Sequence, residues 1–175
     1  MANVKEVLPG IDGQTIDYVV DFCTYAIIPT YFFYQAGMVE DQYAIPVSVL
    51  ILLVSSIYYG RDGMVSDDYY FIGFPVLWNM LILVMFFVWD FSSPVNIALI
   101  IFFSILHFVP IKFVYPSRAP RWQKLTISVT VALIASLIAV VFVYPKTYWW
   151  LNAIVNVSSA YFGLLAIYDT YIIKE

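Results

Sequence analysis

Apolar residues in this chain run together in long blocks, separated by short clusters of proline, glycine, serine and charge. A helix needs about 20 mostly apolar residues to cross the hydrocarbon core of a bilayer. Six stretches reach or approach that length, predicting helices over about residues 15–35, 43–59, 74–89, 94–114, 122–144 and 148–173. Pro29 is placed to kink the first helix and Pro46 falls near the opening of the second. Ser92 and Ser93 can cap the fourth ahead of Pro94, and Pro145 stops the fifth. The connections at 90–93 and 145–147 are short, so neighbouring helices run antiparallel. No internal repeat, low-complexity run or linker interrupts residues 1–175, and a single domain is expected. The pattern predicts an all-α polytopic transmembrane helical bundle.

Composition supports that class. The chain is 63% hydrophobic, 19% aromatic and 11% charged, with a mean hydropathy of +0.86. Soluble domains carry about a quarter charged residues. With 8 Lys+Arg against 12 Asp+Glu, nothing marks a nucleic-acid binder. The lone Cys23 excludes an intramolecular disulfide. If all six helices span, Lys5, Arg61, Lys112, Arg118, Arg121, Lys124 and Lys174 share one side and Lys146 alone takes the other, where Glu40, Asp41 and Asp90 lie. By the positive-inside rule both termini are then cytoplasmic. Residues 1–12 have no apolar core before a cleavage site and do not read as a signal peptide.

The candidate chemistry lies at the mouth of the first helix, in Gly13-Gln14-Thr15-Ile16-Asp17-Tyr18-Val19-Val20-Asp21. Carboxylates at i and i+4 share one helix face. A carboxylate within a membrane helix is costly and marks a functional site by default. Two on one face repel unless a proton or cation lies between them, so Asp17 and Asp21 ask for a divalent metal. The bland alternative is a snorkelling pair favoured by the helix dipole. Asp12 reads as a loop or cap residue.

Gly13-x3-Asp17-x3-Asp21 resembles the second half of the signature of the CDP-alcohol phosphatidyltransferase family, D-x2-D-G-x2-A-R followed by G-x3-D-x3-D. Further stretches resemble the choline-using bacterial members: Val4-Lys5-Glu6-Val7-Leu8-Pro9 leading into Asp12-Gly13, and Val20-Asp21-Phe22-Cys23-Thr24-Tyr25. Phe71-Ile72-Gly73-Phe74-Pro75-Val76-Leu77-Trp78-Asn79 and Phe108-Val109-Pro110-Ile111-Lys112-Phe113-Val114-Tyr115-Pro116 agree as well. The resemblance implies a multi-pass enzyme of the bacterial inner membrane. In its reaction choline attacks the β-phosphate of CDP-diacylglycerol, giving phosphatidylcholine and CMP. It implies Mn²⁺ or Mg²⁺ as cofactor, Asp17 and Asp21 as metal ligands, and Asp21 also as the base. Gly13 would let a nucleotide phosphate approach the backbone. The D-x2-D-G-x2-A-R half is absent, so the resemblance implies an amino-terminally truncated chain with an incomplete two-metal site, expected to be inactive as written. A homodimer is one arrangement left open.

A quaternary ammonium is held by aromatic faces with an acid nearby. That makes Trp78, Tyr69 and Tyr70, with Asp67 or Asp68, candidates for choline, although interfacial belts contain the same rings. Asn79 is expected to face inward. Lys112, Arg118, Arg121 and Lys124 form a basic cluster, in which Lys112 is the candidate phosphate contact and the remainder serve topology. His107 is expected as a buried, hydrogen-bonded histidine, Cys23 as packing, and Asp90 and Asp169 as interfacial. Rival readings are the same fold with serine or a polyol phosphate as acceptor, an ion-coupled transporter, and an inactive remnant. No H-E-x-x-H, P-loop, G-x-S-x-G or C-x-x-C pattern occurs.

Overall fold

A computed structural model describes residues 10–119 and 121–172. Lys5, Lys174 and the 4–9 stretch lie outside the described residues. Asp12 starts the first helix by accepting from the backbone N–H of Gln14 (3.3 Å) and the hydroxyl of Thr15 (2.8 Å). Those bonds satisfy groups that a helix start leaves free. From there α1 (Gly13–Phe22) passes through a π-helical turn, Cys23–Ile27, into α2 (Ile28–Gln35). Pro29 sits at the head of α2. Its missing N–H and its bulk against the preceding turn are accommodated by the wider π turn. The expected kink is thus a change of helix type within one rod.

Then follow α3 (Asp41–Gly60), α4 (Trp78–Val84) with a π turn at Met85–Trp89, α5 (Ser93–Leu106), α6 (Gln123–Val143) and α7 (Trp149–Tyr171). The fold is all-α apart from one pair of short strands. Three helices, α3, α6 and α7, are long and apolar enough to cross a membrane. The 20 residues of α3 rise about 30 Å, the thickness of a bilayer's hydrocarbon. Outward faces are apolar: Phe142 is 85% exposed and Leu164 68%. Leu, Ile and Phe on an outer surface suit lipid rather than water.

Two predicted boundaries shift. The third helix begins at Trp78 rather than 74, and the fourth ends at Leu106 rather than 114. Pro75 and Pro110 break the pattern there, and short strands form before the first and after the second. β1 (Tyr70–Ile72) pairs antiparallel with β2 (Lys112–Val114), setting Tyr70 against Val114 and Ile72 against Lys112. Aromatic and β-branched triplets favour strand, but a short apolar run cannot be told from helix by periodicity.

The main core joins α1–α2, α3, α4 and α5 through Phe33, Ile51, Tyr58, Trp78, Met85 and Ile100. The α6–α7 hairpin packs on α4 through Val84, Leu133, Leu137 and Val155. Side-chain bonds cross between elements: Trp78 Nε1 donates to Ser55 Oγ (2.8 Å), Trp89 Nε1 to Asn156 Oδ1 (2.7 Å), and Thr126 shares a hydrogen with Tyr161 (2.9 Å). Such bonds contribute about 0.6 kcal/mol each in membrane helices.

Gly73 follows β1 with φ of +83°, and a Cβ there would run into the carbonyl of His107. Its N–H donates to Ile111 O (2.8 Å), and that of Phe74 to Leu106 O (2.9 Å). Gly73→Ala therefore adds backbone strain of about 1–3 kcal/mol before any clash. A melt of purified protein in detergent should show a clearly lowered midpoint, while Gly163→Ala, where nothing lies within 4 Å, should melt close to wild type.

Candidate active site

Asp17 and Asp21 lie one turn apart on α1, Asp17 exposed and Asp21 half-buried. The charge of Asp17 acts on Asp21, and both act on the phenols of Tyr25 and Tyr59. Gly13, Asp17 and Asp21 recur every fourth residue, so α1 presents them as a stripe, and Tyr25 follows at the same spacing in the π turn. Opposite stands the end of α3, where the Tyr59 ring meets Tyr18 at 5.9 Å and Phe22 at 6.3 Å. Gly13 opens the stripe and is half-buried. The site is therefore an acidic stripe walled by half-buried tyrosines.

A second cluster forms where the strands meet α7. Lys112 donates its backbone N–H to Thr170 Oγ1 (2.8 Å). Its ammonium lies 2.9 Å from Asp68 Oδ2 and 5.2 Å from the centre of the Tyr70 ring. The side chains of the ion pair are 36% and 41% exposed. The Ser66 hydroxyl first, and Lys112 next, hold the Asp68 carboxyl below the usual carboxylate range. Burial pushes the Tyr70 phenol up to about 12, and its neighbour Asp169 adds to the shift by charge and hydrogen bond. Asp169, near the end of α7, is only 4% exposed, with Tyr70 of the strand pair as its neighbour.

The aromatic candidates separate. Trp78 is wholly buried, with its ring stacked on His107 at 5.2 Å. Tyr70 is buried at 6% exposure and turns its ring to Lys112. Tyr69 is 46% exposed, with φ of 63°, and Arg118 lies 4.9 Å over its ring. Arg118 also lies 5.9 Å from the Tyr115 ring, which stacks on Phe71 at 5.1 Å and acts electrostatically on Tyr25. Tyr115 thus lies on the side of the strand cluster near Tyr25. Asp67, Arg121 and Lys124 are exposed, and Cys23 is half-buried in the π turn. Asn79 is half-buried, and its Oδ1 accepts from the N–H of Met80 (2.9 Å). His107 is buried as expected, its Nδ1 2.7 Å from Phe103 O.

Sequence reading missed Tyr25, Tyr59 and Tyr115 beside the aspartates, Arg61, which donates to His107 O (3.2 Å), and Thr170. For Tyr25 the signal was present, as the next step in the four-residue stripe. Tyr59, Tyr115 and Thr170 arrive from distant segments.

Comparison with known proteins bears on this geometry. A phosphatidylcholine synthase of Legionella bozemanae is 34% identical over 182 aligned positions, covering 98% of this chain and 82% of the relative. One of Borreliella burgdorferi is 33% identical over 173, covering 97% and 73%. The chain belongs to the phosphatidylcholine synthase family. A further phosphatidylcholine synthase, of Rhizobium johnstonii, is 38% identical over 127 residues, covering 73% of this chain. The chain spans about half the length of that relative, 52%. No family model matches the chain, and no solved structure does. The resemblance read from the G-x3-D-x3-D stretch thus holds for the phosphatidylcholine synthase family.

Among the described residues no group of three or more His, Cys, Asp or Glu gathers as a metal cluster. Asp17 and Asp21 are two hard oxygen donors on one face. That number suits Mg²⁺ or Mn²⁺, which are held by one or two carboxylates with waters and substrate phosphates completing the shell.

The Asp68 pair carries a pH prediction. Its folded value lies below the unfolded one near 3.9, so its stabilisation is present above that value and disappears as pH falls through the folded value. Because the pair is more than one-third exposed, the contribution is under about 1 kcal/mol. Thermal midpoints of wild type and Asp68→Asn should differ slightly at pH 6 and converge towards pH 3.

Proposed function

We propose that the chain forms phosphatidylcholine by transferring the phosphatidyl group of CDP-diacylglycerol to choline. The observation that carries this reading is the Asp17–Asp21 stripe beside Tyr25 and Tyr59, in a chain of the phosphatidylcholine synthase family. Asp21 takes the proton of the choline hydroxyl as its oxygen bonds to the β-phosphorus, and the P–O bond to CMP breaks. Asp17 and Asp21 would hold a divalent ion, Mn²⁺ or Mg²⁺, which when bound would supply positive charge against the pyrophosphate oxygens. Gly13 leaves the backbone open to the nucleotide phosphate. Lys112, paired to Asp68, can exchange that carboxylate for a lipid phosphate.

This reading places the chain in a bacterial inner membrane as a multi-pass protein, with the aspartates towards the cytoplasm. The water-soluble acceptor then enters from one side while CDP-diacylglycerol stays in the lipid. A polar acceptor other than choline would need the same aspartates, so the acceptor is settled by assay.

The test is CMP release from CDP-diacylglycerol, choline and Mn²⁺ in membranes containing this chain, alone and in a version extended to the length of its relatives. Choline-dependent release is expected in the extended version. Release with serine or a polyol phosphate in place of choline would reassign the acceptor, and none with any acceptor would overturn the reading. Asp21→Asn should cut the rate by about 10²–10⁴-fold with insertion unchanged. Lys112→Gln should raise the KM for CDP-diacylglycerol several-fold with kcat largely kept; an unchanged KM would return Lys112 to a structural role.

A further inference from the structure

At the opposite end of the α1–α2 rod, about 22 Å from Asp21 at 1.5 Å per residue, lies a cavity of about 320 Å³. Three segments build it: the turn after α2 (Ala36–Glu40), the close of the π turn after α4, and the start of α5. Backbone and side chain bind these together. Glu40 donates its N–H to Ser93 Oγ (3.1 Å), and Asn96 Nδ2 donates to Met38 O (2.8 Å) and Phe91 O (3.1 Å). Asp90 closes its helix in the left-handed region, with φ of 47° and its N–H on Met85 O (2.9 Å).

The lining chemistry has one sign. Glu40 and Asp90 supply carboxylates, and among the described residues no lysine, arginine or histidine lines the cavity. Lys146 belongs to this end by its place in the chain, but is not part of the wall. The Asp90 carboxylate makes no hydrogen bond or ion pair among the described residues. Asn96 is an independent sign. It is only 2% exposed, and its two carbonyl partners fix which way the amide points. Its Oδ1 is left as a buried acceptor in the wall with no donor. A buried acceptor without a donor is rare in native proteins. Phe86 and Phe91 add ring faces, and Met38 and Met85 polarisable sulfur. Carboxylates, an unmatched acceptor and aromatic faces together favour a cation with an apolar coat. The volume sits at the lower end of the range for small-molecule sites and exceeds what a bare metal ion needs.

We propose that this cavity binds a small alkylammonium cation, at a site separate from the aspartate stripe. Such a group reaches it either as a free amine or as the headgroup of a zwitterionic lipid, since the cavity lies among connections at a helix end. The site stands on its own lining and does not depend on the proposed reaction.

The probe is tetramethylammonium, titrated calorimetrically into purified protein in detergent, with the neutral isostere tert-butanol and Na⁺ as controls. Binding of tetramethylammonium but not of the isostere is expected. Glu40→Gln with Asp90→Asn should weaken it at least tenfold, and Asp21→Asn should leave it unchanged. Both replaced side chains are exposed and asparagine tolerates the left-handed region, so an unaltered melt certifies the fold. Retention of binding in the double variant, no binding to folded wild type, displacement by Na⁺, or loss only in Asp21→Asn would each overturn the proposal. Repeating the titration in nanodiscs separates the sources. Competition by phosphatidylcholine but not phosphatidylglycerol identifies a headgroup, and equal binding in both identifies a free cation.

Discussion

Backbone polar groups that leave a helix need other partners when buried, and in this chain that requirement is hardest to meet where α3 gives way to α4 and where α5 ends. Both places are broken by proline and glycine, and both leave carbonyls exposed. The structure answers them with each other. Gly73 lies flat on the His107 carbonyl, Arg61 donates to that same oxygen, the N–H groups of Gly73 and Phe74 reach Ile111 and Leu106, and β1 pairs with β2. Around this joint Trp78, Tyr58 and Phe74 enclose the His107 ring at 5.2, 5.4 and 5.6 Å. Two irregular segments become one joined cap, which carries Tyr115, Lys112 and Tyr70.

The joint also explains which functional candidates were legible. Asp17 and Asp21 could be read because their spacing and their helix are local; a four-residue step on a helix fixes a face without any tertiary knowledge. The helices themselves were legible for the same reason, each being a block of apolar residues with its own stops. Lys112 and Tyr70 could be named but not placed. Their partnership with Asp68, Asp169 and Thr170 depends on strand pairing that joins residues 70–72 to 112–114, and no periodicity in either segment announces it. Trp78 failed in the same way as an accessible ring. Its aromatic character was evident, while its burial against His107 follows from the Gly73 contact.

The bundle's two ends differ in kind. At one, the irregular segments are cross-linked by strands, ion pairing and aromatic stacking, and the basic residues interleave with acids: Lys112 with Asp68, and Arg118 between two tyrosine rings. At the other, the connections are short, acidic and apolar, tied by the Asn96 amide to two carbonyls. Among the described residues, the basic side chains with hydrogen-bond, ion-pair or ring contacts, Arg61, Lys112 and Arg118, all belong to the first end.

The π turn at Cys23–Ile27 has a further bearing on that asymmetry. A π turn accommodates an extra residue within an otherwise α-helical ladder, and one residue corresponds to about 100° of helical rotation. The rod is therefore two helices set out of phase, and each half takes its own azimuth. Upstream, Asp17 and Asp21 address Tyr59 while Val19 and Val20 face outward; downstream, Phe33 turns fully into the core. Without that offset, a single straight ladder would have to satisfy both ends with one facing. The turn acts as a swivel built into the covalent order of the chain, so that the azimuth of the acidic stripe is set separately from the packing that anchors the rod.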